Sequence, residues 1–269
     1  MPYRRLHYFI LLLLPASVMA FPFYLMDLGN SVPAKHVHAA AATLWILLLA
    51  GQSASIHNGK RSLHRMVGVA SLALFPMYLA GFLLVFQCEA QRIVDGDPWA
   101  TVFGPGVGTI TLISATSTGW MYYAALRDRK NVQLHSCWMM VTVVLFADSV
   151  LGRIFNGYVP GFLVREFEDV RKIYDGFHAS QLLAIAVAIV LYRRDKANGF
   201  PFVFVCFVLV LQSVALEIFD GFEPWRTAFI ATASWPMSIA LIPGVVLGIA
   251  VAWLGWTAGH REPPRSSPV

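Results

Sequence analysis

Uncharged apolar segments of about 20 residues recur along this chain, and their length constrains the fold more than any other feature. An α-helix rises about 1.5 Å per residue, so a segment of that length just crosses the hydrocarbon core of a bilayer. With 57% hydrophobic and only 13% charged residues, the chain is also too apolar for a soluble domain. The sequence therefore predicts an all-α integral membrane protein.

The segments predict about eight transmembrane helices, of which helices two to six form a four- to five-helix core bundle within residues 33–193. We expect residues 1–258 to form one domain and residues 259–269, which are rich in Pro and Ser, to form a disordered cytoplasmic tail. The predicted helices span residues 6–28, 33–55, 63–87, 101–126, 134–156, 177–193, 200–219 and 236–257.

The two ends of this helical region have alternative interpretations. Residues 1–20 also resemble a signal peptide, with basic residues before the apolar stretch, but we expect a retained helix. Pro236 and Pro243 favour a break near the last helix. Residues 225–235 are therefore predicted to be interfacial or an irregular helix start.

Lysine and arginine collect in the loops on one side of the predicted helices. Thirteen lie on the side of both termini and six on the other side, which predicts that both termini are cytoplasmic. The longer connections, 88–100 and 157–176, would then lie outside. Within the second of these, residues 164–174 carry enough charge to form a short helix on the membrane surface. The net charge of +5 reflects these loops, so no nucleic-acid partner is implied.

Five histidines lie at or near the ends of the apolar segments, in two layers. His36, His38 and His178 lie at the predicted outer margin, whereas His64 and His135 lie at the inner margin. Histidine is costly near a bilayer, so its recurrence at matching depth on several helices suggests a shared cofactor or proton path. Two pairs from four helices are what two stacked b haems require.

Helical geometry distinguishes among these candidates. His36 and His38 are about 200° apart, so one haem facing this helix can use only one of them. We favour His38, because Trp45 follows it on the same face, and keep His36 as the alternate. Arg153 returns to the face of His135 after about five turns, roughly 27 Å away, where its planar fork would suit a haem propionate, a quinone head group or a carboxylate.

A pattern of motifs covers the stretch from His38 to Arg153. It contains a Gln late in the first helix, a His-Arg pair followed by Gly, a basic loop and a His-x-x-Trp-Met motif. The residues are Gln52, His64, Arg65, Gly68, Arg127–Lys130, His135, Trp138 and Met139. This stretch resembles a bacterial family of membrane proteins of unknown function, which is broadly similar to the two-haem transmembrane b-type cytochromes. The chain departs from the family at Ser136 and Cys137, where basic residues usually follow the histidine.

The resemblance implies one or two b haems, with ligand roles for His38, His64 and His135. His178 lies outside the matched stretch, and its ligand role is predicted from its depth alone. The expected pairs are His38 with His178 on the outer side and His64 with His135 on the inner side.

The predicted function is electron transfer by a haem b cytochrome-like protein of the bacterial inner membrane, acting as an oxidoreductase. A quinol or small reductant would supply electrons, and Arg153 would bind an anionic group on the outer side. Asp148, Glu217 and Asp220 would accept the released protons. Catalytic roles would thus fall to Asp148, Arg153 and Glu217. Besides the lipid bilayer and a quinone, a partner membrane subunit is a further expected contact.

Other interpretations stay open. A haem- or metal-handling assembly factor would use fewer of the histidines, and a transporter is disfavoured because the chain lacks two matched halves. In a purely structural interpretation, Asp148 and Arg153 would neutralise each other or pair with Glu217. A haem-free membrane enzyme acting on a lipid or quinone would draw its acid, base and anion clamp from His36, His38, Asp148, Arg153 and His178.

Overall fold

The fold is all-helical, as the sequence predicts. The computed structural model describes residues 5–261, without the side chain of Arg261, and this part of the chain forms α-helices and three short 3-10 helices with no β-strand. The α-helices are α1 (Leu6–Leu11), α2 (Leu13–Ala20), α3 (Pro22–Met26), α4 (Pro33–His57), α5 (Arg61–Val94), α6 (Pro98–Arg127), α7 (Val132–Tyr158), α8 (Val170–Arg194), α9 (Phe200–Phe219), α10 (Glu223–Ala231) and α11 (Met237–Arg261).

Six helical segments are long and apolar enough to cross a membrane, which fits a multi-pass membrane protein. They comprise α4, α5, α7, α8 with the turn before it, α9 and α11. Their outward faces are apolar: Phe207 is 62% and Trp253 is 63% exposed. Contact with lipid explains such exposure, because a bilayer replaces water around these side chains.

The first predicted helix is not continuous. Residues 6–28 form three short helices that are interrupted at Leu12 and Phe21. The backbone of Phe21 is non-helical, with φ −125° and ψ 47°, and Pro22 follows it without an amide hydrogen to continue the helix. Because α1 packs against α4 and α2 packs against α7, the broken segment lies across the bundle.

The outer connections are shorter than predicted. The helix α5 continues to Val94 and α6 begins at Pro98, because Asp97 caps α6 by accepting hydrogen bonds from the amides of Trp99 and Ala100 at 2.9 and 3.1 Å. The separate surface helix predicted at 164–174 is wrong, since residues 170–174 are the first turn of α8.

The last part of the chain confirms one predicted break and corrects another. Residues 223–231 form the short helix α10, and Pro236 precedes α11. Pro243 lies inside α11 without ending it. The helix α11 continues to Arg261, so residues 259–261 are helical, and the remainder of the predicted tail, residues 262–269, lies outside the described residues.

The core of the bundle is aromatic and connects α4 to α7. Trp45, Phe75, Tyr78 and Tyr122 are each at most 2% exposed, and α5 packs against α4, α6 and α11 around them. The indole of Trp45 donates a hydrogen bond to Thr142 Oγ1 at 3.3 Å. This core lies between the two ends of the bundle where the histidines are found.

Candidate functional site

The inner histidines His64 and His135 are held in the same way. His135 Nδ1 lies 2.7 Å from the carbonyl oxygen of Ala125 on α6, and His64 Nδ1 lies 3.3 Å from the carbonyl oxygen of Gln52 on α4. The Gln52 amide in turn donates to the carbonyl of His64 at 3.0 Å. Each imidazole is thus fixed by a neighbouring helix, not by another side chain.

These contacts determine which ring nitrogen carries the proton. A carbonyl oxygen only accepts hydrogen bonds, so both Nδ1 atoms are the donors. The neutral rings of His64 and His135 therefore keep the lone pair on Nε2, the arrangement that suits a metal-binding histidine. The two rings are near enough to interact electrostatically. The donor chemistry of this inner pair therefore fits the axial ligands of a haem iron.

At the end of the bundle predicted to be outer, His38 packs against α5, whereas His36 contacts α3. The ring of His38 packs edge-on against Phe82, with centroids 5.6 Å apart, and a Cβ on Gly81 would lie 3.1 Å from its Nδ1. This Nδ1 is buried, and the backbone of Gly81 is a hydrogen-bonding neighbour of the ring. His36 Nδ1 instead contacts the hydroxyl of Tyr24 at 2.8 Å. The different directions of the two rings agree with the helical phase that favours His38.

Arg153 interacts electrostatically with His38 and with the carboxylates of Glu89 and Asp148, but no carboxylate in residues 5–261 forms a salt bridge with it. Its Nη1 donates to the carbonyl and the hydroxyl of Ser149 at 2.9 and 3.0 Å. Its guanidinium lies over the ring of Phe21 at 4.7 Å and farther from that of Phe177, so the break between α2 and α3 supplies one wall of this site. A cation without a carboxylate partner at the membrane margin is suited to bind an anion.

The ion pairs expected for Asp148 are not formed. Asp148 is 4% exposed and accepts a hydrogen bond from Ser180 at 2.5 Å, and within the described chain neither Arg153 nor Glu217 pairs with it. Burial raises the pKa of Asp220, which follows α9 and lies on the outer side, above its ordinary value. Asp220 is therefore better suited than a solvent-exposed acid to take up a proton.

The structure does not bring His178 together with His38. His178 Nε2 lies 2.8 Å from Glu217 Oε1, and its Nδ1 lies 2.8 Å from Ser213 Oγ. Arg171 holds the same carboxylate with two bonds of 2.9 and 2.7 Å. Both ring nitrogens of His178 are occupied by side chains of α9. The donor chemistry of His178 therefore does not fit an iron ligand.

Ser213 and Arg171 are site residues that the sequence reasoning missed. Ser213 and Glu217 are four residues apart on α9, and Arg171 and His178 are seven apart on α8. Both spacings place the members of a pair on one helix face. The spacing was visible in the sequence, but which helix this face would meet was not.

Ring contacts join the outer site to the centre of the bundle. The chain runs from His38 through Phe82, Tyr78 and Trp45 to Tyr122, with centroid distances of 5.6, 5.2, 5.2 and 5.4 Å. Tyr122 is three residues before Ala125 on α6, the residue whose carbonyl holds His135. The aromatic core therefore approaches the inner histidine pair from the outer site.

Clusters of three or more His, Cys, Asp or Glu residues arranged to hold a metal ion are absent from residues 5–261. Known proteins add no further assignment: no family model matches the chain, and no curated protein or solved structure matches it either. The resemblance described between His38 and Arg153 thus depends on its motif residues alone.

Proposed function

We propose that this protein is a membrane-embedded haem protein that moves electrons between a quinol or small reductant and an acceptor, with one haem b held by His64 and His135. The observation that carries the proposal is the shared hydrogen-bonding of these two imidazoles, whose Nδ1–H groups both donate to backbone carbonyls. That arrangement leaves Nε2 of each ring for the iron. When bound, the haem supplies one-electron chemistry.

The proposal places the chain in a bacterial inner membrane, with about eight crossings and both termini cytoplasmic. The broken segment formed by α1, α2 and α3 and the less apolar helix α6 would complete the crossings beyond the six apolar segments. The distribution of lysine and arginine between the two sides supports this orientation.

The outer site is where a quinol would bind. Arg153 has Nε and Nη2 groups that donate to no described residue, and these would hold the oxygen of a quinone head group or another anionic oxygen. His38 interacts electrostatically with Arg153, and a ring nitrogen of His38 would form a hydrogen bond with the same ligand. Asp220 is suited to receive the released proton, with Asp148 as a further acceptor, whereas the ion pairs of Glu217 with Arg171 and His178 disfavour the acceptor role expected for it.

The aromatic core supports a connection between the two ends. Its ring-to-ring distances of 4.1 to 6.5 Å fill the space between the outer site and the inner histidines with apolar rings. Low polarity strengthens electrostatic interactions among the groups at either end. The core would thus hold the two sites at a fixed separation within one rigid bundle.

The decisive experiment is spectroscopy of the protein purified in detergent. Spectra of the oxidised and dithionite-reduced protein should show a Soret peak and an α band typical of a low-spin b haem. The pyridine haemochrome should give about one haem per chain. A colourless protein after expression with added haem precursor would refute the proposal, and two haems per chain would refute the assignment of a single inner site.

The contacts of His178 favour a second candidate function, a haem-free enzyme at the outer face. Ser213 Oγ, His178 and Glu217 form a continuous hydrogen-bonded chain with two 2.8 Å links, the order of nucleophile, base and orienting acid found in acyl-transfer sites. This candidate predicts a colourless protein that reacts with a fluorophosphonate probe. Ser213→Ala should abolish labelling, while Ser180→Ala serves as the matched control.

A further inference from the structure

A second pair of histidines lies at the inner end of the bundle, apart from His64 and His135. His7 is on α1 and His57 is the last residue of α4, and the packing of α1 against α4 brings their rings together. The ring centroids are 6.4 Å apart, with an angle of 43° between the planes. No carboxylate or thiol completes a cluster of three ligands around them in the described chain.

Both rings of this pair have a buried nitrogen without a partner. These atoms are Nδ1 of His7 and Nε2 of His57, and the hydroxyl of Ser53, one turn before His57, is buried and unpartnered as well. An unsatisfied buried polar group costs about 1 to 3 kcal/mol. The concentration of such atoms at one place therefore indicates a ligand.

The tautomer of the neutral His57 ring indicates which kind of ligand it would bind. Its Nδ1 lies 2.7 Å from the carbonyl oxygen of Ser53, so Nδ1 must donate and Nε2 of the neutral ring carries the lone pair. A ring nitrogen oriented in this way by a backbone carbonyl is a typical metal ligand. A cation that accepts two imidazole nitrogens fits these atoms, whereas an anion does not.

The distance between the ring centroids of His7 and His57 distinguishes between tetrahedral and linear coordination of a metal ion. With metal–nitrogen bonds of about 2.0 Å, two imidazoles on a tetrahedral ion have centroids about 5.1 Å apart, whereas two imidazoles in a linear arrangement have centroids about 6.3 Å apart. The observed 6.4 Å agrees with the linear arrangement. Zinc in proteins almost always takes four ligands, whereas the cuprous ion is stable with two and imidazole suits copper.

We propose that His7 and His57 form a two-coordinate site for a cuprous ion at the inner margin of the bundle. The site is separate from the haem ligands and does not depend on them. Copper binding bridges α1 to α4 and so fastens the broken amino-terminal segment to the core. No change of copper oxidation state is involved.

The test is anaerobic titration of the detergent-purified protein with Cu(I) in competition with a chromophoric Cu(I) chelator. We expect one Cu(I) per chain, and His7→Asn or His57→Gln should weaken binding by at least about a hundredfold, because one of two ligands is lost. His260→Ala is the matched control, since His260 also lies at the inner end but contacts Arg129, and it should bind copper like the parent.

X-ray absorption of the parent protein loaded with Cu(I) tests the geometry without a variant. We expect two nitrogen neighbours at about 1.9 Å and the edge feature of linear Cu(I). Unchanged Cu(I) affinity in both histidine variants would overturn the proposal, and so would three or four nearest neighbours or tighter binding of Zn²⁺ than of Cu(I). A haem spectrum recorded on each sample separates this result from the proposed function, because neither variant should alter the α band.

Discussion

The histidines at the two ends of the bundle differ in what holds them. On the inner side, His64 and His135 donate to backbone carbonyls of neighbouring helices, whereas on the outer side His178 contacts the carboxylate of Glu217 and the hydroxyl of Ser213. A backbone acceptor fixes a ring and leaves its other nitrogen for a ligand. When side chains contact both ring nitrogens, as in His178, neither nitrogen is left for a ligand. Depth in the membrane alone therefore does not make histidines equivalent.

The largest expected effect comes from removing an inner histidine. If the proposed function holds, His135→Ala or His64→Ala should abolish the α band of the reduced protein, because each would supply one of two iron ligands, and His178→Ala should retain it. Difference spectra of equal amounts of folded protein measure the effect. Retention of the band in both inner variants would contradict the inner assignment. Loss of the α band in His178→Ala would instead support His178 as an iron ligand. The histidines at the two ends would then not differ in this respect.

The next effect concerns the outer site alone. Arg153→Ala should weaken binding of a short-chain ubiquinone by about ten- to hundredfold, because a hydrogen bond to a charged group contributes about 1.5 to 3 kcal/mol. Quenching of tryptophan fluorescence gives the dissociation constant. Arg171→Ala is the matched control, since Arg171 is also an outer arginine but already holds Glu217. Equal weakening in both variants would show only a general effect of positive charge.

Much of the fold was predictable because apolar length and helix ends are local properties. The all-helical class, the approximate positions of the six long apolar helices and the break at Pro236 follow from segment length and from proline. The interruption at Phe21 was not predicted, because segment length alone allows one helix over 6–28, although Pro22 is a signal in the sequence that marks the break. It matters for function because Phe21 contacts Arg153.

The candidate sites were predictable in part, for a related reason. Helical phase predicts that His38 and His36 point in different directions, because both lie on one helix and their relative angle is fixed, and their rings do contact different residues, Phe82 and Tyr24. The partner of His178 depends on how α8 is rotated against α9, and no spacing within α8 contains that information. The same limit explains why the sequence did not show that Arg153 donates to Ser149 and forms no salt bridge with Asp148.

A smaller effect is expected on stability, because helices pack more closely at Gly81 near the outer end than at Gly68 near the inner end. A Cβ on Gly81 would lie 3.1 Å from the backbone Cα of His38, whereas a Cβ on Gly68 would meet only the amide of Gln52 at 3.2 Å. Gly81→Ala should therefore destabilise the protein by about 1 to 3 kcal/mol, because a helix backbone cannot give way. Gly68→Ala should cost less, because a flexible side chain can. Thermal unfolding followed by circular dichroism measures both, and the reverse order would contradict this account.

The smallest expected effect is acid sensitivity on the outer side. Burial raises the pKa of Asp97, but hydrogen bonds from Arg92 and from the first amides of α6 outweigh burial and hold the pKa below its ordinary value of 3.8. The unfolded chain therefore binds this proton first as the pH falls. The stabilisation is complete above about pH 5 and is lost as the pH falls through the ordinary pKa towards the folded one.

Asp97→Asn should accordingly lower the melting temperature at about pH 6 and leave a smaller difference from the parent at about pH 3.5. Asparagine still caps a helix, so the variant removes mainly the charge that pairs with Arg92 at 2.7 Å. Arg92→Gln should show the same dependence, because it removes the other member of the pair. If the difference in melting temperature between the parent and Asp97→Asn is constant across this pH range, the ion pair does not stabilise the outer end. Any acid sensitivity that distinguishes the outer end from the inner end would then have another source.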